Sequence, residues 1–238
     1  MVSIVIPTFN ERESLQALWP RLAAVRRHLD EPLEVLVVDD RSTDGTQELA
    51  EQALQADGMG RLIRRDGARD LAQSVMEGVR HARGDVIGVM DADLSHPPEL
   101  LPALLQAVRS GADVAVASRY VPGGGIAQWS SVRRLLSWSA NAMARPLVGV
   151  RDATSGYFLA HATLWRALLQ APYGFKILLE LLACGQPHRV QEIPYLFVDR
   201  AHGRSKLRRR VLWRYAAQLG RLYKNRWKVS MPTVVSTK

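Results

Sequence analysis

Short runs rich in Val and Ile alternate with helical patterns over the first half of the chain, and this alternation restricts the possible folds more than any other feature. The runs lie at residues 2–7, 33–39, 61–64, 86–90 and 114–117, and the helical patterns at 11–29, 43–55, 71–82 and 98–110. Such an order predicts βαβ units and a mostly parallel sheet. The strands are apolar throughout, as is typical when helices cover both faces. The fold class is therefore α/β.

The second half of the chain has a less regular pattern. Residues 131–147 carry apolar side chains at helical spacing, and we expect Pro146 to end or kink that helix. Further strands are predicted at 154–160 and 190–198, a helical segment at 177–184, a final helix at 207–227 and a flexible tail at 229–238. No segment approaches the ~18 apolar residues of a membrane span. We therefore predict one domain over 1–206 and a helical appendage over 207–238.

Positive charge is concentrated at the C-terminal end. Residues 1–203 contain 21 Lys and Arg against 23 Asp and Glu, whereas 204–238 contain 11 basic residues and no acidic ones. Apolar residues at 211, 212, 215, 219, 222 and 223 make this end a basic amphipathic helix, which predicts binding to an anionic membrane surface. Nucleic acid is the alternative partner of such a segment. The acidic remainder has no recognition motif, so we expect no nucleic-acid partner.

Two aspartates follow the strand at 86–90. Asp91 and Asp93 flank Ala92, and alternate residues of an extended chain point the same way, so both carboxylates can face one cation. Mg²⁺ and Mn²⁺ prefer such oxygen ligands and leave positions for phosphate. The competing interpretation is that the pair caps the helix that begins near Pro98, although Ser95 already offers a capping hydroxyl. The pattern favours a divalent metal site.

Polar residues also end the other predicted strands. Glu11 follows the first strand, Asp40 ends the second, and Arg119 follows the fifth. In open α/β sheets ligands bind at the carboxyl ends of the strands. An aspartate at that edge can accept a hydrogen bond from a nucleobase. The strand ends therefore indicate a nucleotide site that includes the Asp91–Asp93 pair.

Four motifs in this order resemble family 2 glycosyltransferases of the GT-A fold. They are Pro7-Thr-Phe-Asn-Glu11, Val38-Asp-Asp40 with Asp44-Gly-Thr46, the segment 91–99 that begins Asp-Ala-Asp, and the segment 118–125 that ends in three glycines. Later segments at 152–156, 174–176 and 197–207 resemble dolichol- or polyprenyl-phosphate mannose synthases. The resemblance covers residues 2–207.

The resemblance implies a role for each matching residue. The nucleoside pocket would be lined by Pro7, Phe9, Glu11, Val38 and Asp40. Asp91 and Asp93 would hold Mg²⁺ or Mn²⁺, with the Ala92 backbone beside the nucleotide. Arg119, Arg200 and Lys206 would contact phosphates of the donor or acceptor. Three positions depart from the family pattern: Ser95 replaces a frequent glutamine and is a weak metal ligand, Phe158 replaces an arginine, and Arg204 replaces a glutamate.

The predicted helix at 131–147 supports a phosphate acceptor. Arg133, Ser137, Asn141 and Arg145 are four residues apart and share one face. Arg133 and Ser137 are one turn apart, so they are candidates to bind one phosphate. The resemblance implies that Arg119 contacts the same acceptor phosphate. Trp129 and Trp138 are typical of a membrane interface. The alternative is an ordinary surface helix with a polar stripe.

The predicted reaction needs no deprotonation of the nucleophile. A phosphate monoester is charged near neutral pH, so it can attack an anomeric carbon directly and invert it. Asp152 is a reserve candidate for a base; its simpler interpretation is a turn residue. We predict mannose transfer from GDP-mannose to dolichyl or polyprenyl phosphate, giving a β-linked product. UDP-glucose or another nucleotide-sugar is the alternative donor. The expected location is the cytoplasmic side of a membrane, as a peripheral protein with a possible separate membrane-anchor subunit.

Overall fold

The computed structural model describes residues 1–169, 174, 176–199, 209–225 and 231–236. In the first half, strands and helices alternate as predicted. In chain order the elements are β1 Val2–Thr8, α1 Arg12–Arg26, β2 Leu33–Asp39, α2 Thr46–Asp57, β3 Gly60–Arg64, α3 Leu71–His81, β4 Val86–Val89, a 3₁₀ turn Pro98–Leu100, α4 Leu101–Arg109, β5 Val114–Ser118, β6 Gly125–Ile126, α5 Ser131–Val148, β7 Phe158–His161, α6 Ala162–Leu169, α7 Ile177–Gly185, β8 Arg189–Pro194, β9 Leu196–Phe197, α8 Arg209–Lys224 and β10 Thr233–Ser236.

Eight of the described strands form one sheet in the order β10-β8-β5-β7-β4-β1-β2-β3. β7 runs antiparallel to both of its neighbours, and every other pairing in this sheet is parallel. The short strands β6 and β9 pair separately. The α/β class and the mostly parallel sheet are therefore confirmed.

Apolar side chains of the central strands point to both faces of the sheet and form two hydrophobic cores. In β2, Leu36 and Val38 belong to one core, and Val35 and Val37 to the other. A strand that is buried on both faces favours apolar residues at consecutive positions. This is why the strands appear as runs rich in Val, Ile and Leu, in which the buried Ser3 and Glu34 are hydrogen-bonded to each other.

Three strand ends on the carboxyl edge turn through left-handed backbone at residues that are not glycine. Asn10 follows β1 with φ 54°, Arg41 follows β2 with φ 65°, and Leu94 follows β4 with φ 63°. Such conformations are uncommon outside glycine and cluster at functional sites. The same edge therefore gathers three tight turns beside the predicted nucleotide site.

Several predicted boundaries were wrong. β7 begins at Phe158 rather than 154, because residues 151–154 form a turn, and the strand predicted at 190–198 divides into β8 and β9 at Tyr195. Pro146 lies inside α5, which continues to Val148. The flexible tail predicted at 229–238 is wrong for residues 233–236, since β10 pairs in parallel with β8 at the edge of the main sheet.

The sequence predicts that the apolar stripe of the C-terminal helix faces a membrane, and this prediction is wrong for three of its residues. Tyr215, Leu219 and Leu222 of α8 are buried in one of the protein's own cores rather than exposed on a membrane-facing side. Leu212 and Trp213 remain exposed on this helix. Residues 207, 208, 226 and 227 of the predicted helix lie outside the described part of the chain. Among the described helices, none is long and apolar enough to cross a membrane.

Candidate active site

A cleft of about 300 Å³ opens at the carboxyl edge of the sheet. It brings together residues predicted from separate motifs: Asp91 after β4, Arg119 after β5, and Arg133 and Ser137 of α5. Its other walls come from α3, the turn at 154–156, the start of α7 and α8. Apolar lining residues include Leu71, Val75, Leu136, Leu178 and Leu212. The cleft thus combines a charged floor with an apolar wall.

The end of β4 positions Asp91 with the help of a buried histidine. The backbone N–H of Asp91 donates to Nδ1 of His96 at 3.0 Å, and the same nitrogen lies 3.7 Å from Oδ2 of Asp91. Burial lowers the pKa of His96, against the opposing charges of Asp91 and Asp93. An imidazole that accepts at Nδ1 is neutral with its proton on Nε2. His96 therefore holds the Asp91 backbone in place without adding positive charge.

Asp93 is buried beside Ser95, which orients its carboxylate. The Ser95 hydroxyl donates to Asp93 Oδ1 at 2.5 Å, and the Ser95 backbone N–H donates to the same oxygen at 3.1 Å. A hydroxyl that donates to a metal-binding carboxylate orients that carboxylate without itself binding the metal. Direct ligation by Ser95 stays a prediction, and the observed contact favours an indirect part.

Gly156 packs directly against Asp91 and His96. A Cβ at this position would lie 2.9 Å from His96 Cε1 and 3.1 Å from Asp91 Oδ2. The absence of a side chain therefore leaves room for the carboxylate at the cleft floor. The resemblance singled out the Thr154-Ser-Gly156 motif, and this close approach supplies a physical reason for its glycine.

Arg119, which lines the cleft, forms an ion pair with the buried Asp152. Arg119 Nε and Nη2 donate to the two carboxylate oxygens at 2.8 and 2.7 Å, and the Arg119 backbone N–H donates at 3.0 Å. The side chains are 8% and 0% exposed. Burial acts to lower the pKa of Arg119, yet the charge and hydrogen bonds of Asp152 raise it above its usual value. Asp152 is thus the partner that makes this buried cation tolerable, and its assignment as a base is not supported.

Arg133 is held over an aromatic ring at the mouth of the cleft. Its guanidinium lies 4.0 Å from the Trp129 ring centroid, and Nη1 donates to Asp199 at 2.5 Å. Trp129 packs edge-on against Phe197, with ring centroids 5.1 Å apart. Trp129 was predicted at a membrane interface, but its ring is part of the cleft wall. Trp138, by contrast, is 59% exposed.

The polar face predicted on α5 is only partly available to a ligand. Arg133 and Ser137 line the cleft, but Asn141 is 4% exposed. Its side chain donates to the Ser137 carbonyl and accepts from the Thr154 N–H. Arg145 is exposed near the end of the helix and does not line the cleft. Asn141 therefore fixes the Thr154 turn to α5 instead of facing a ligand.

The residues predicted for the nucleoside form a second group beside the cleft. Pro7 of β1 and Val38 of β2 are paired neighbours in the sheet. Asp40 accepts from Arg65 at 2.6 Å and from the Asp70 backbone at 2.8 Å. Phe9 lies under the Arg69 guanidinium at 3.6 Å.

Glu11 is also in this group. It accepts from the Ser14 hydroxyl at 2.7 Å, and its backbone N–H donates to Thr46. The group adjoins the cleft through α3, because Asp70 caps that helix and the next residue, Leu71, lines the cleft. Assignment of these side chains to the nucleoside remains a prediction.

Two predicted phosphate contacts, Arg200 and Lys206, lie outside the described residues, as does Arg204. Ala92 is 2% exposed between the two aspartates. Phe158, which stands where the family pattern has an arginine, is 1% exposed and stacks on Trp165 with ring centroids 5.7 Å apart. Phe158 therefore belongs to the hydrophobic core, although its edge reaches the cleft wall.

The donor set at the end of β4 fits a divalent cation that takes further ligands from a bound phosphate. Within the described ranges, no group of three or more His, Cys, Asp or Glu side chains is arranged to hold a metal. Asp91 and Asp93 would thus supply two hard oxygen ligands and leave the remaining positions to substrate and water. The space left by Gly156 beside Asp91 Oδ2 agrees with this assignment.

Sequence reasoning missed several residues that shape the site. Lys176 lines the cleft, its Nζ lies 3.5 Å from the Thr154 carbonyl, and burial lowers its pKa to about 8. Lys176 and His96 lay within recognised motifs but had been given no role. Asp199, which pairs with Arg133, was likewise inside a motif. Distances across the chain could not be read from spacing alone, and this is why these partnerships were overlooked.

Comparison with solved structures places the same architecture in known enzymes. The chain superposes on glucosyl-3-phosphoglycerate synthase from Mycobacterium tuberculosis, in a complex with Mn²⁺, UDP and glucosyl-3-phosphoglycerate, with a TM-score of 0.65 at 19% identity, covering 97% of this chain and 81% of that one. A crystal structure of glucosyl-3-phosphoglycerate synthase with Mg²⁺ and UDP gives the same score and identity, covering 97% of this chain and 80% of that one. At this identity the likeness establishes the GT-A fold.

Sequence relatives are closer. A protein named dolichol-phosphate mannosyltransferase from Pyrococcus furiosus is 39% identical over 98% of this chain, which spans 66% of the relative's length. An undecaprenyl-phosphate mannosyltransferase from Micrococcus luteus is 38% identical over 87% of each chain. Residues 3–169 match the sequence profile described as Glycosyl transferase family 2. This chain therefore belongs to glycosyltransferase family 2.

Proposed function

We propose that the protein transfers mannose from GDP-mannose to a dolichyl or polyprenyl phosphate and inverts the anomeric carbon. The observation that carries the proposal is a single cleft in which the acidic strand end at Asp91 faces the cationic residues Arg119 and Arg133. The names of the Pyrococcus and Micrococcus relatives support the same acceptor class and sugar.

The acceptor would enter with its phosphate at the cationic part and its chain along the apolar part. Arg133 and Ser137 are one helical turn apart on the cleft wall. Arg133 is steadied by Trp129 and Asp199, so little side-chain freedom is lost when it binds an anion. Leu136, Leu178 and Leu212 line the same cleft and would cover the first prenyl units. A phosphate on a hydrocarbon chain thus fits the arrangement better than a free sugar does.

Asp91 and Asp93 would hold Mg²⁺ or Mn²⁺ against the donor diphosphate. The bound metal would offset the negative charge that develops on the leaving nucleoside diphosphate. The chain's own part is positional: His96 fixes the Asp91 backbone, Ser95 orients Asp93, and Asp152 holds the Arg119 guanidinium. An ionised phosphate nucleophile requires no base, so alignment and charge stabilisation are the contributions needed from the protein.

Membrane contact is the other part of the proposal. α5 and α8 pack together, since Tyr215 and Tyr223 of α8 donate to the carbonyls of Ala140 and Met143 at 2.7 Å each. Around this contact both helices expose large apolar side chains, namely Val132, Leu135, Trp138, Met143, Leu212, Trp213 and Tyr223. We call these seven residues the apolar surface. Together with nearby Arg side chains it suits peripheral binding to an anionic membrane on the cytoplasmic side, with or without a separate anchor subunit.

Incubation with a panel of donors tests the reaction. Purified protein is mixed with polyprenyl phosphate, Mg²⁺ or Mn²⁺ and either GDP-mannose, UDP-glucose or other nucleotide-sugars, and lipids are analysed by mass spectrometry. We expect a polyprenyl-phosphate hexose from GDP-mannose, and none with Asp91→Asn or in EDTA. Product from UDP-glucose alone would replace the donor assignment, and no glycolipid from any donor would overturn the proposal.

A further inference from the structure

Gln218 of α8 is a buried polar side chain that forms two hydrogen bonds with the backbone of Lys176, a cleft residue 42 positions earlier in the chain. Its Oε1 accepts from the Lys176 N–H at 3.0 Å, and its Nε2 donates to the Lys176 carbonyl at 2.9 Å. Only 4% of Gln218 is exposed. A buried amide is costly unless both ends are paired, and here both ends are used on one residue.

Lys176 immediately precedes α7 and has extended backbone, with φ −98° and ψ 97°. Its carbonyl also accepts from the Glu180 N–H at 3.2 Å, the first backbone bond of that helix. Its own N–H has no helical acceptor, because the first N–H groups of a helix lie beyond the intrahelical ladder. Gln218 therefore accepts the hydrogen bond for which the helix offers no acceptor. The two hydrogen bonds fix the position of the Lys176 backbone, from which the side chain extends.

A second contact holds the same region one turn further along α8. Arg221 forms an ion pair with Glu180 of α7, whose side chain is fully buried. Burial raises the pKa of Glu180, and Arg221 and Gln218 act in the opposite direction. Gly174 makes the approach possible, since a Cβ there would lie 2.4 Å from Gln218 Cδ and 2.6 Å from Glu180 Oε1. The contact between α8 and the Lys176 backbone is thus reinforced by the Arg221–Glu180 pair and by the close packing at Gly174.

The Lys176 side chain extends into the cleft that also contains Asp91 and Arg119. Its Nζ lies 3.5 Å from the Thr154 carbonyl, and Ser155, Gly156, Ile177 and Leu178 line the same cleft. A compact ammonium group in this position is a point-charge ligand for phosphoryl oxygens. The charges of Asp91 and Arg119 both act on this ammonium group, so it is near the groups proposed to bind the donor diphosphate and the lipid phosphate.

We propose that Gln218 is a positioning residue that holds Lys176 so that its ammonium group binds a phosphoryl oxygen in the cleft. The inference rests on the proposed function, because it takes the cleft as the place of transfer. Lys176 makes the ligand contact and Gln218 acts only through it. The phosphoryl group belongs either to the nucleotide-sugar or to the lipid phosphate, and separate KM values distinguish the two.

Steady-state kinetics of four variants test the inference. Lys176→Met removes the ammonium, and Gln218→Met keeps the side-chain volume but removes both hydrogen bonds. The third variant combines them. Gly220→Ala is the control, because it changes α8 two residues from Gln218, its Cβ would meet nothing within 4 Å, and Gly220 does not line the cleft.

We expect Lys176→Met to raise the KM of one substrate about tenfold or more, as for a lost charge-assisted hydrogen bond. Gln218→Met should raise the same KM about three- to tenfold, and the double variant should be no worse than Lys176→Met alone. Gly220→Ala should stay within about twofold of wild type. A rise confined to the donor or to the lipid identifies which phosphate is bound.

Additive effects in the double variant, or unchanged KM values for both substrates, would overturn the inference. Wild-type protein that makes no glycolipid would instead count against the proposed function. If Gln218→Met does not fold by circular dichroism, Gln218→Asn replaces it. That shorter amide can reach only one of the two backbone groups, so its KM should lie between those of wild type and Lys176→Met, and a wild-type KM would contradict the positioning role.

Discussion

Gly156 approaches the Asp91 carboxylate more closely than a residue with a side chain could. An alanine Cβ would lie 2.9 Å from His96 Cε1, and His96 is buried among Tyr157, Tyr195 and Phe197 with little room to move. The strain would therefore fall on the more exposed Asp91, which is the residue proposed to hold the metal. Displacement of a reacting group by about 1 Å can cost about a hundredfold in rate.

For Gly156→Ala we expect a loss of at least about tenfold in kcat, with a smaller effect on thermal stability. The reason is that the new methyl group pushes Asp91 away from its position at the cleft floor. Initial rates of glycolipid formation and the melting temperature provide the measurement. Gly220→Ala is the matched control, since a Cβ there meets nothing within 4 Å. Equal rates for both variants would contradict this role of Gly156.

His96 should make the stability of the metal-free protein depend on pH. Its pKa is lowered from 6.5 by burial, so the unfolded chain takes up a proton as the pH falls through about 6.5 while the folded protein does not. The free energy of unfolding should therefore decrease as the pH falls below about 6.5. His96→Asn keeps an acceptor for the Asp91 N–H and removes the titrating group, so its slope should be smaller. Urea unfolding between pH 5 and about 7.5 measures both slopes, and equal slopes would contradict the prediction.

β10 shows that the end of the chain is part of the main sheet. Val234 packs against the core that contains Tyr215 and Leu219, whereas Thr233 is exposed at the start of the strand. Val234→Asp should lower the free energy of unfolding by about 1–3 kcal/mol, because it places a carboxylate against apolar side chains. Thr233→Asp, the control, should change it by less than about 0.5 kcal/mol. Urea unfolding compares them, and a flexible tail would make the two variants alike.

The elements that could be predicted are those with local signals. β1, β2 and β4 are runs dominated by apolar residues, and the helices between them have helical periodicity. β10 has only four residues, and its strand character depends on pairing with β8 some 40 residues earlier. The stripe on α8 was recognised, but periodicity does not distinguish a protein core from a membrane as the apolar surroundings. Packing against α5 and α7 decides this, and the sequence does not display it.

In the candidate site, too, features with a local sequence signal could be predicted, and contacts between distant residues could not. Asp91 and Asp93 are separated by one residue and follow a clear strand, so a shared metal site could be predicted from the sequence alone. The Arg119–Asp152 and Arg133–Asp199 pairs join residues 33 and 66 positions apart. Lys176 reaches the cleft because α7 packs beneath α5 and α8. Such contacts depend on how the layers are assembled, so they became visible only in the folded chain.

At the scale of the whole molecule, the apolar surface and the cleft lie on the same pair of helices. Leu212 belongs to both, and Trp138 is one residue beyond Ser137 of the cleft wall. A membrane bound at this surface would place lipid phosphates near the cleft mouth. Removing residues 208–238 would not test this cleanly, because it would also remove β10 and the buried residues of α8.

Substitution of exposed tryptophans tests membrane binding without disturbing either core. Trp138 and Trp213 are 59% and 76% exposed, so Trp138→Ser with Trp213→Ser should leave the melting temperature nearly unchanged. Burying a large apolar side chain is worth about 1.5–3 kcal/mol, so the double variant should bind anionic vesicles at least about tenfold more weakly in co-sedimentation. Leu169→Ser, an exposed apolar residue on neither α5 nor α8, is the control and should bind as wild type does. Added salt should weaken wild-type binding further, because basic residues contribute to it. Wild-type affinity in the double variant would show that the apolar surface has another partner.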